Sequence, residues 1–167
     1  AFYFHGGGWC IGDIQGYDSL CRELDNHSGA AVLSVDYRLA PENPFPAAVE
    51  DAVAAFRWAV AQALSLGVDP AAIGVGGESA GGNLAAVVSQ ITTAEAGPAP
   101  AFQLLFFPVT DLSTKHNSYR LFPTGFFLTE AQMDWLRMIR DHLATSFIIE
   151  ADDLDMAPFD GKGGMGQ

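Results

Sequence analysis

A serine with glycine two residues to either side, Gly77-Glu78-Ser79-Ala80-Gly81, constrains this chain more than any other stretch. An apolar run, Ala71-Ala72-Ile73-Gly74-Val75, precedes it, and a helix-forming run, Asn83-Leu84-Ala85-Ala86-Val87-Val88, follows. Gly-x-Ser-x-Gly between strand and helix predicts a nucleophile elbow, a sharp turn that exposes one serine hydroxyl. The residue types suit that geometry. Ser79 sits at the tip in a strained backbone, its neighbours at ±2 close on one another, and Gly77 and Gly81 carry no side chain to collide. A helix starting just past Ser79 aims free N–H groups at the site, where negative charge is favoured.

A second motif supplies what such a serine needs. His5-Gly6-Gly7-Gly8-Trp9 follows the apolar run Phe2-Tyr3-Phe4. Acyl transfer through serine passes through a tetrahedral oxyanion, which requires preorganised donors. Consecutive glycines bring bare backbone N–H groups close to a ligand. The residue after the nucleophile, Ala80, adds another N–H. A phosphate cradle would also carry a Lys or a GxGxxG helix start, and neither accompanies this loop.

The rest of the chain reads as strands alternating with helices. Strands are expected at 2–5, 31–37, near Ile73–Val75 and, buried, at 102–107. A short helix is expected from Ser19 to His27, stopped by Gly29, and a long one from Ala47 to Leu66, ended by Gly67. Val49, Val53, Phe56, Val60 and Leu64 mark its apolar face. Thr129 with Gln132 predicts a capping box for a helix carrying Met133, Leu136 and Ile139. Continuous apolar strands alternating with helices indicate an α/β fold, a mostly parallel sheet covered on both faces. The elbow then lies at the carboxyl end of a strand, where open α/β sheets place their sites.

Composition removes several functions. A net charge of −12, with 8 Lys and Arg against 20 Asp and Glu, argues against nucleic acid and anionic membrane surfaces as partners. No apolar run is long enough to span a bilayer. Cys10 and Cys21 lack metal-ligand spacing and are too few for a disulfide framework. Small, partly buried thiols fit a reducing, cytoplasmic compartment. No metal or cofactor is expected. Residues 151–167 turn acidic and then glycine-rich, and read as a poorly ordered tail after a domain spanning 1–150. With no initiator Met and a start inside an apolar strand, the sequence reads as a fragment.

Four motifs occur in order: His5-Gly6-Gly7-Gly8-Trp9; Tyr37-Arg38-Leu39-Ala40-Pro41-Glu42 with Pro44-Phe45-Pro46-Ala47-Ala48; Asp51 with Arg57-Trp58; and Gly77-Glu78-Ser79-Ala80-Gly81-Gly82-Asn83-Leu84-Ala85. Together they resemble the hormone-sensitive lipase family of α/β-hydrolases, the bacterial family IV esterases, over roughly residues 1–142. The resemblance implies Ser79 as nucleophile and oxyanion N–H groups from Gly7, Gly8 and Ala80. It implies that His5 holds the shape of its loop and is not the base. Gly6, Gly77, Glu78 and Gly81 complete the motifs, with Glu78 in place of the more usual Asp. It also implies that Tyr37–Pro46 braces the site; three prolines stiffen that loop, and Arg38 suits a buried ion pair. Residues 112–145, with Phe122, Phe126, Phe127 and Trp135, correspond to part of a helical cap, and those aromatics read equally as acyl-pocket lining or as core. The implied activity is hydrolysis of short- to medium-chain carboxylic esters, with a small-molecule ester as the partner.

A serine nucleophile needs a base, and the base needs an orienting carboxylate, in the chain order Ser, Asp or Glu, His. After Ser79 the histidines are His116 and His142. Asp111 and His116 come too early in the topology, and His142 lies near the end of a helix. The true acid and base are expected beyond Gln167. The alternatives are a catalytically incomplete binding protein on the same fold and an amidase or carbamate hydrolase using the same serine.

Overall fold

A computed structural model describes residues 1–142, and within its last helix the side chains of 137 and 139–142 are not described. The elements are β1 (Phe2–Phe4), α1 (Asp18–Ser28), β2 (Leu33–Val35), α2 (Ala47–Gln62), β3 (Val75–Glu78), α3 (Ala80–Ala94), β4 (Gln103–Phe106), α4 (Asn117–Leu121) and α5 (Glu130–His142). The four strands form one sheet in the order β2-β1-β3-β4. Every pairing is parallel, with Phe4 beside Val35 on one side and Gly77 on the other. This is the α/β architecture that the alternating pattern predicts.

Alternation along β1 divides the two faces of the sheet. Phe2 and Phe4 join Val53, Phe56, Val75, Leu84 and Val88 in the main core, which α2 and α3 cover. Tyr3 and His5 meet the ring of Tyr17 on the opposite face, at centroid separations of 6.1 and 5.6 Å. Cys21 of α1 is buried, Cys10 is half-buried, and both are free thiols. Gly29 stops α1 in a left-handed conformation, its N–H donating to Asp25 O at 3.0 Å. The capping box forms: Thr129 N–H donates to Gln132 Oε1 at 2.8 Å, and Gln132 N–H donates to Thr129 Oγ1 at 3.3 Å.

Four expectations need correction. The run 71–75 is not one strand. Asp69 Oδ1 accepts the Ala71 N–H and Pro70 follows it, so Pro70–Ala72 folds as a 3₁₀ turn and the strand starts at Val75. The second helix ends at Gln62 rather than Leu66, because Val68 N–H reaches back to Ala63 O around Gly67 (φ 70°). Leu64 is left 85% exposed. The strand at Gln103–Phe106 is not buried. It pairs only with β3 among the described residues, and Phe102, Leu104 and Phe107 are exposed. Phe122, Phe126, Phe127 and Trp135 are exposed too and are not core. The acidic, glycine-rich tail at 151–167 lies outside the described residues.

Candidate active site

Ser79 stands between β3 and α3 with φ 52° and ψ −117°. Such a backbone costs a non-glycine residue on the order of 1–3 kcal/mol and persists only where the surroundings over-determine it. Three hydrogen bonds hold it. Ser79 N–H donates to Phe106 O at 3.0 Å, and Ser79 O accepts from Asn83 N–H at 3.1 Å and Val109 N–H at 3.0 Å. The Asn83 side-chain amide donates to Val109 O at 2.9 Å, so the segment after β4 is tied to the first turn of α3. Ser79 occupies the N-cap position, yet its hydroxyl makes no capping bond.

The glycines let two strand ends and a helix meet backbone to backbone. A Cβ on Gly81 would lie 1.9 Å from Phe4 O and 2.5 Å from His5 O. One on Gly77 would lie 2.5 Å from the Gly81 backbone and from Phe4 O. Parallel pairing of β1 with β3 therefore brings the glycine loop and the elbow out side by side.

The loop after β1 has its own fixed shape. Gly7, Gly8 and Trp9 have φ of 116°, 61° and 61°. Cys10 and Ile11 both donate their N–H groups to Gly7 O at 3.1 Å. His5 is fully buried, with its ring stacked on Tyr37 at 4.3 Å. Its Nδ1 lies 2.7 Å from Gly6 O; a carbonyl can only accept, so Nδ1 carries the proton. Tyr37 O–H donates to His5 O at 2.7 Å, and Ala40 N–H donates to Trp9 O at 2.8 Å. The 37–46 segment thus grips the glycine loop at both ends. The Arg38 ion pair forms but is not buried. Its guanidinium donates to Asp51 at 2.8–3.0 Å and to Glu50 at 3.2 Å while remaining 48% exposed, because it lies along the outward side of the first turns of α2. That guanidinium holds the Asp51 carboxyl below the usual carboxylate range, chiefly through hydrogen bonding.

Across the loop lies α5. A Cβ on Gly8 would meet Leu136 Cδ2 at 2.2 Å, so a leucine of the last described helix rests on the loop. Lys115 fixes the approach of that helix, donating to Glu130 and Asp134 at 2.8 Å each.

Among the described side chains, His5 is held in the glycine loop and the other imidazoles face carboxylates, while the His142 side chain lies outside the described residues. His27 pairs with Glu23 at 3.0 Å. His116 Nε2 lies 4.0 Å from Asp111 Oδ2, and Asp111 is bound to Ser113 N–H. Ser113 hydrogen bonding keeps the Asp111 carboxyl ionised to lower pH than usual. Among the described residues no imidazole hydrogen-bonds Ser79, and no cluster of three or more His, Cys, Asp or Glu could hold a metal ion.

The model of the alpha/beta hydrolase fold family matches residues 1–158. The chain belongs to the α/β-hydrolase family. Its hormone-sensitive-lipase resemblance holds as well. Carboxylic ester hydrolase LipN of Mycobacterium tuberculosis is 49% identical over 138 residues, 80% of this chain and 37% of that protein. An ester hydrolase from the metagenome of Lake Arreo, solved with a bipyridine phosphonate derivative, is 50% identical with a TM-score of 0.79, covering 82% of this chain and 44% of that one. EstE1, a thermostable carboxylesterase from a metagenomic library, is 44% identical with a TM-score of 0.79, covering 82% and 48%. This α/β-hydrolase chain therefore spans less than half the length of each of these relatives. No described helix is long and apolar enough to cross a membrane.

Sequence reasoning passed over two participants. Tyr17 reaches the site from the start of α1, its hydroxyl donating to Glu78 Oε1 at 2.6 Å across 61 residues of sequence. Leu136 reaches Gly8 from α5. Neither position carries a local signal beyond its apolar character. Only the packing of α1 and α5 brings them in.

Proposed function

We propose that Ser79 is the nucleophile of a carboxylic ester hydrolase acting on short- to medium-chain esters. Ser79 Oγ attacks the ester carbonyl and gives its proton to a general base from outside the described residues. The carbonyl electron pair moves to oxygen, and the N–H groups of Gly7, Gly8 and Ala80 hold the oxyanion. Collapse expels the alcohol, which takes the proton. Water, deprotonated by the same base, then releases the acid from acyl-Ser79. The chemistry requires neither metal nor cofactor.

The observation that carries this reading is the positive-φ Ser79 on an elbow packed against the end of β1 so closely that a Cβ on Gly81 would lie 1.9 Å from Phe4 O. Among the described residues, no protein acceptor takes the N–H groups of Gly7, Gly8 and Ala80. The relatives' names point the same way, to carboxylic ester hydrolase and carboxylesterase. A non-catalytic binding role on this fold is the second reading, favoured by the absence, among the described residues, of an imidazole on Ser79. Amide or carbamate cleavage uses the same machinery and differs in leaving group.

The test is p-nitrophenyl butyrate hydrolysis by the polypeptide that carries this chain, beside its Ser79→Ala variant. The substitution should cost roughly 10⁶-fold in kcat, the scale set by loss of a triad serine. Turnover surviving it would sink the acyl-enzyme reading.

A further inference from the structure

The elbow and the glycine loop are held apart from each other in sequence and together in space. Their backbones touch at Gly81 and Phe4, but that contact fixes only the base of the loop. Farther out, at Gly6, another device takes over. Glu78, the residue before the nucleophile, turns its carboxylate toward the loop. Its Oε1 would lie 2.7 Å from a Cβ on Gly6, and Tyr17 Oη would lie 3.0 Å from the same point. The two side chains are joined by the 2.6 Å hydrogen bond. Tyr17 also lies against the His5 ring and, on its other flank, against Tyr3. Burial, then the Glu78 hydrogen bond, pushes the Tyr17 phenol up to about 12, and a Gly6 backbone hydrogen bond partly offsets this. The hydroxyl is therefore protonated across the working pH range and available as a donor.

We propose that Tyr17 and Glu78 form a positioning pair that locks the His5–Gly8 loop in register with Ser79. The motif glutamate is then more than a spacer beside the serine, and Tyr17 of α1 becomes its partner. Gly6 is glycine because its missing Cβ leaves room for this pair. A short charge-assisted hydrogen bond is among the stronger polar contacts available to a protein. Its loss frees the outer half of the loop while leaving the Gly81–Phe4 contact intact. The catalytic consequence rests on the acyl-enzyme reading above; the structural consequence does not.

The experiment therefore has two arms. In the first, hydrogen–deuterium exchange is followed on this chain over residues 5–12, which include the Cys10 and Ile11 N–H groups bonded to Gly7 O, and over residues 84–92 of α3. Tyr17→Phe and Glu78→Ala should each speed exchange at 5–12 about tenfold, the factor expected for one charged hydrogen bond, with 84–92 unchanged. The double variant should be no faster than either single one, as required of two groups acting through one bond. Glu78→Gln, whose amide oxygen still accepts from the phenol, should return most of the protection. Unchanged exchange at 5–12 in Tyr17→Phe would overturn the proposal. So would equal acceleration at 84–92, which denotes general destabilisation. In the second arm, the polypeptide showing Ser79-dependent turnover should lose about tenfold in kcat on Tyr17→Phe with KM within twofold. A raised KM with unchanged kcat would overturn the catalytic half. Turnover that survives Ser79→Ala would instead remove the acyl-enzyme reading, and the exchange arm would still decide the pair.

Discussion

Around Ser79 the molecule is joined by backbone pressed on backbone; around α5 it is joined by side chains reaching over loops. At the elbow, β1, β3 and α3 approach so closely that Gly77 and Gly81 have no room for a Cβ, and the neighbouring Phe4, Val75, Ala80 and Leu84 are fully or almost fully buried. At α5, contact with the loop rests on Leu136 over Gly8 and on Lys115 between Glu130 and Asp134, with Trp135 and Met138 exposed. The first arrangement is rigid because close-packed backbone has no alternative rotamer to adopt. The second is adjustable, since a leucine and a lysine can both repack.

The sharpest way to break the comparison is Gly81→Ala. Its Cβ has nowhere to go but into Phe4 O, so the cost should exceed about 3 kcal/mol in urea unfolding, beyond ordinary overpacking. Gly29→Ala is the counterpart: it meets a left-handed demand, φ 68°, that Gly81 does not, but nothing within 4 Å, and should cost about 1 kcal/mol. Equal costs would mean that the elbow is not backbone-packed. Next, Gly8→Ala should lower kcat about 100-fold, the scale of losing one oxyanion donor. Adding Leu136→Ala relieves the clash with Leu136 and should restore part of the loss, though not the part due to φ 61°. No restoration would show that α5 does not rest on the loop.

Asp51→Asn should have a smaller effect, confined in pH. The Asp51 carboxyl is held below its unfolded value by Arg38, so its stabilisation is present above the unfolded pKa and fades as pH falls through the lower folded one. Wild type and variant should differ in unfolding free energy near pH 7 and converge on acidification below about pH 4. A gap that persists in acid would assign the effect to packing. Least of all, Lys115→Ala should leave global stability nearly unchanged, as expected for exposed ion pairs. It should speed exchange in residues 130–136 at low salt more than at high salt, because salt already screens the pairs in the wild type.

What the sequence made legible follows the same division. Gly77, Ser79, Gly81 and the glycines after His5 announce themselves because a close backbone approach admits only one residue type. The Thr129–Gln132 capping box was likewise readable, being a contact across three residues. Tyr17 was not, since the glutamate it serves lies 61 residues away and nothing near it in the chain marks the meeting. Leu64 was misread because periodicity continues one turn past the point where Gly67 lets the chain reverse. The strand at 103–106 was misread because apolar character reports the tendency to be covered, while its exposure is set by what packs on it, and among the described residues it pairs with β3 alone. Arg38 was read correctly as an ion-pair partner and wrongly as buried: its partners are fixed by the loop, its exposure by which side of α2 the loop crosses.

The most direct test of Ser79 as nucleophile is trapping rather than turnover. The polypeptide carrying this chain is treated with a p-nitrophenyl alkylphosphonate, which releases nitrophenol as it phosphonylates an activated serine, and the adduct is located by peptide mass mapping. One adduct per chain is expected, on Ser79, with none in Ser79→Ala. A label on another residue, or one of equal yield in Ser79→Ala, would contradict the reading of this elbow as the site of chemistry.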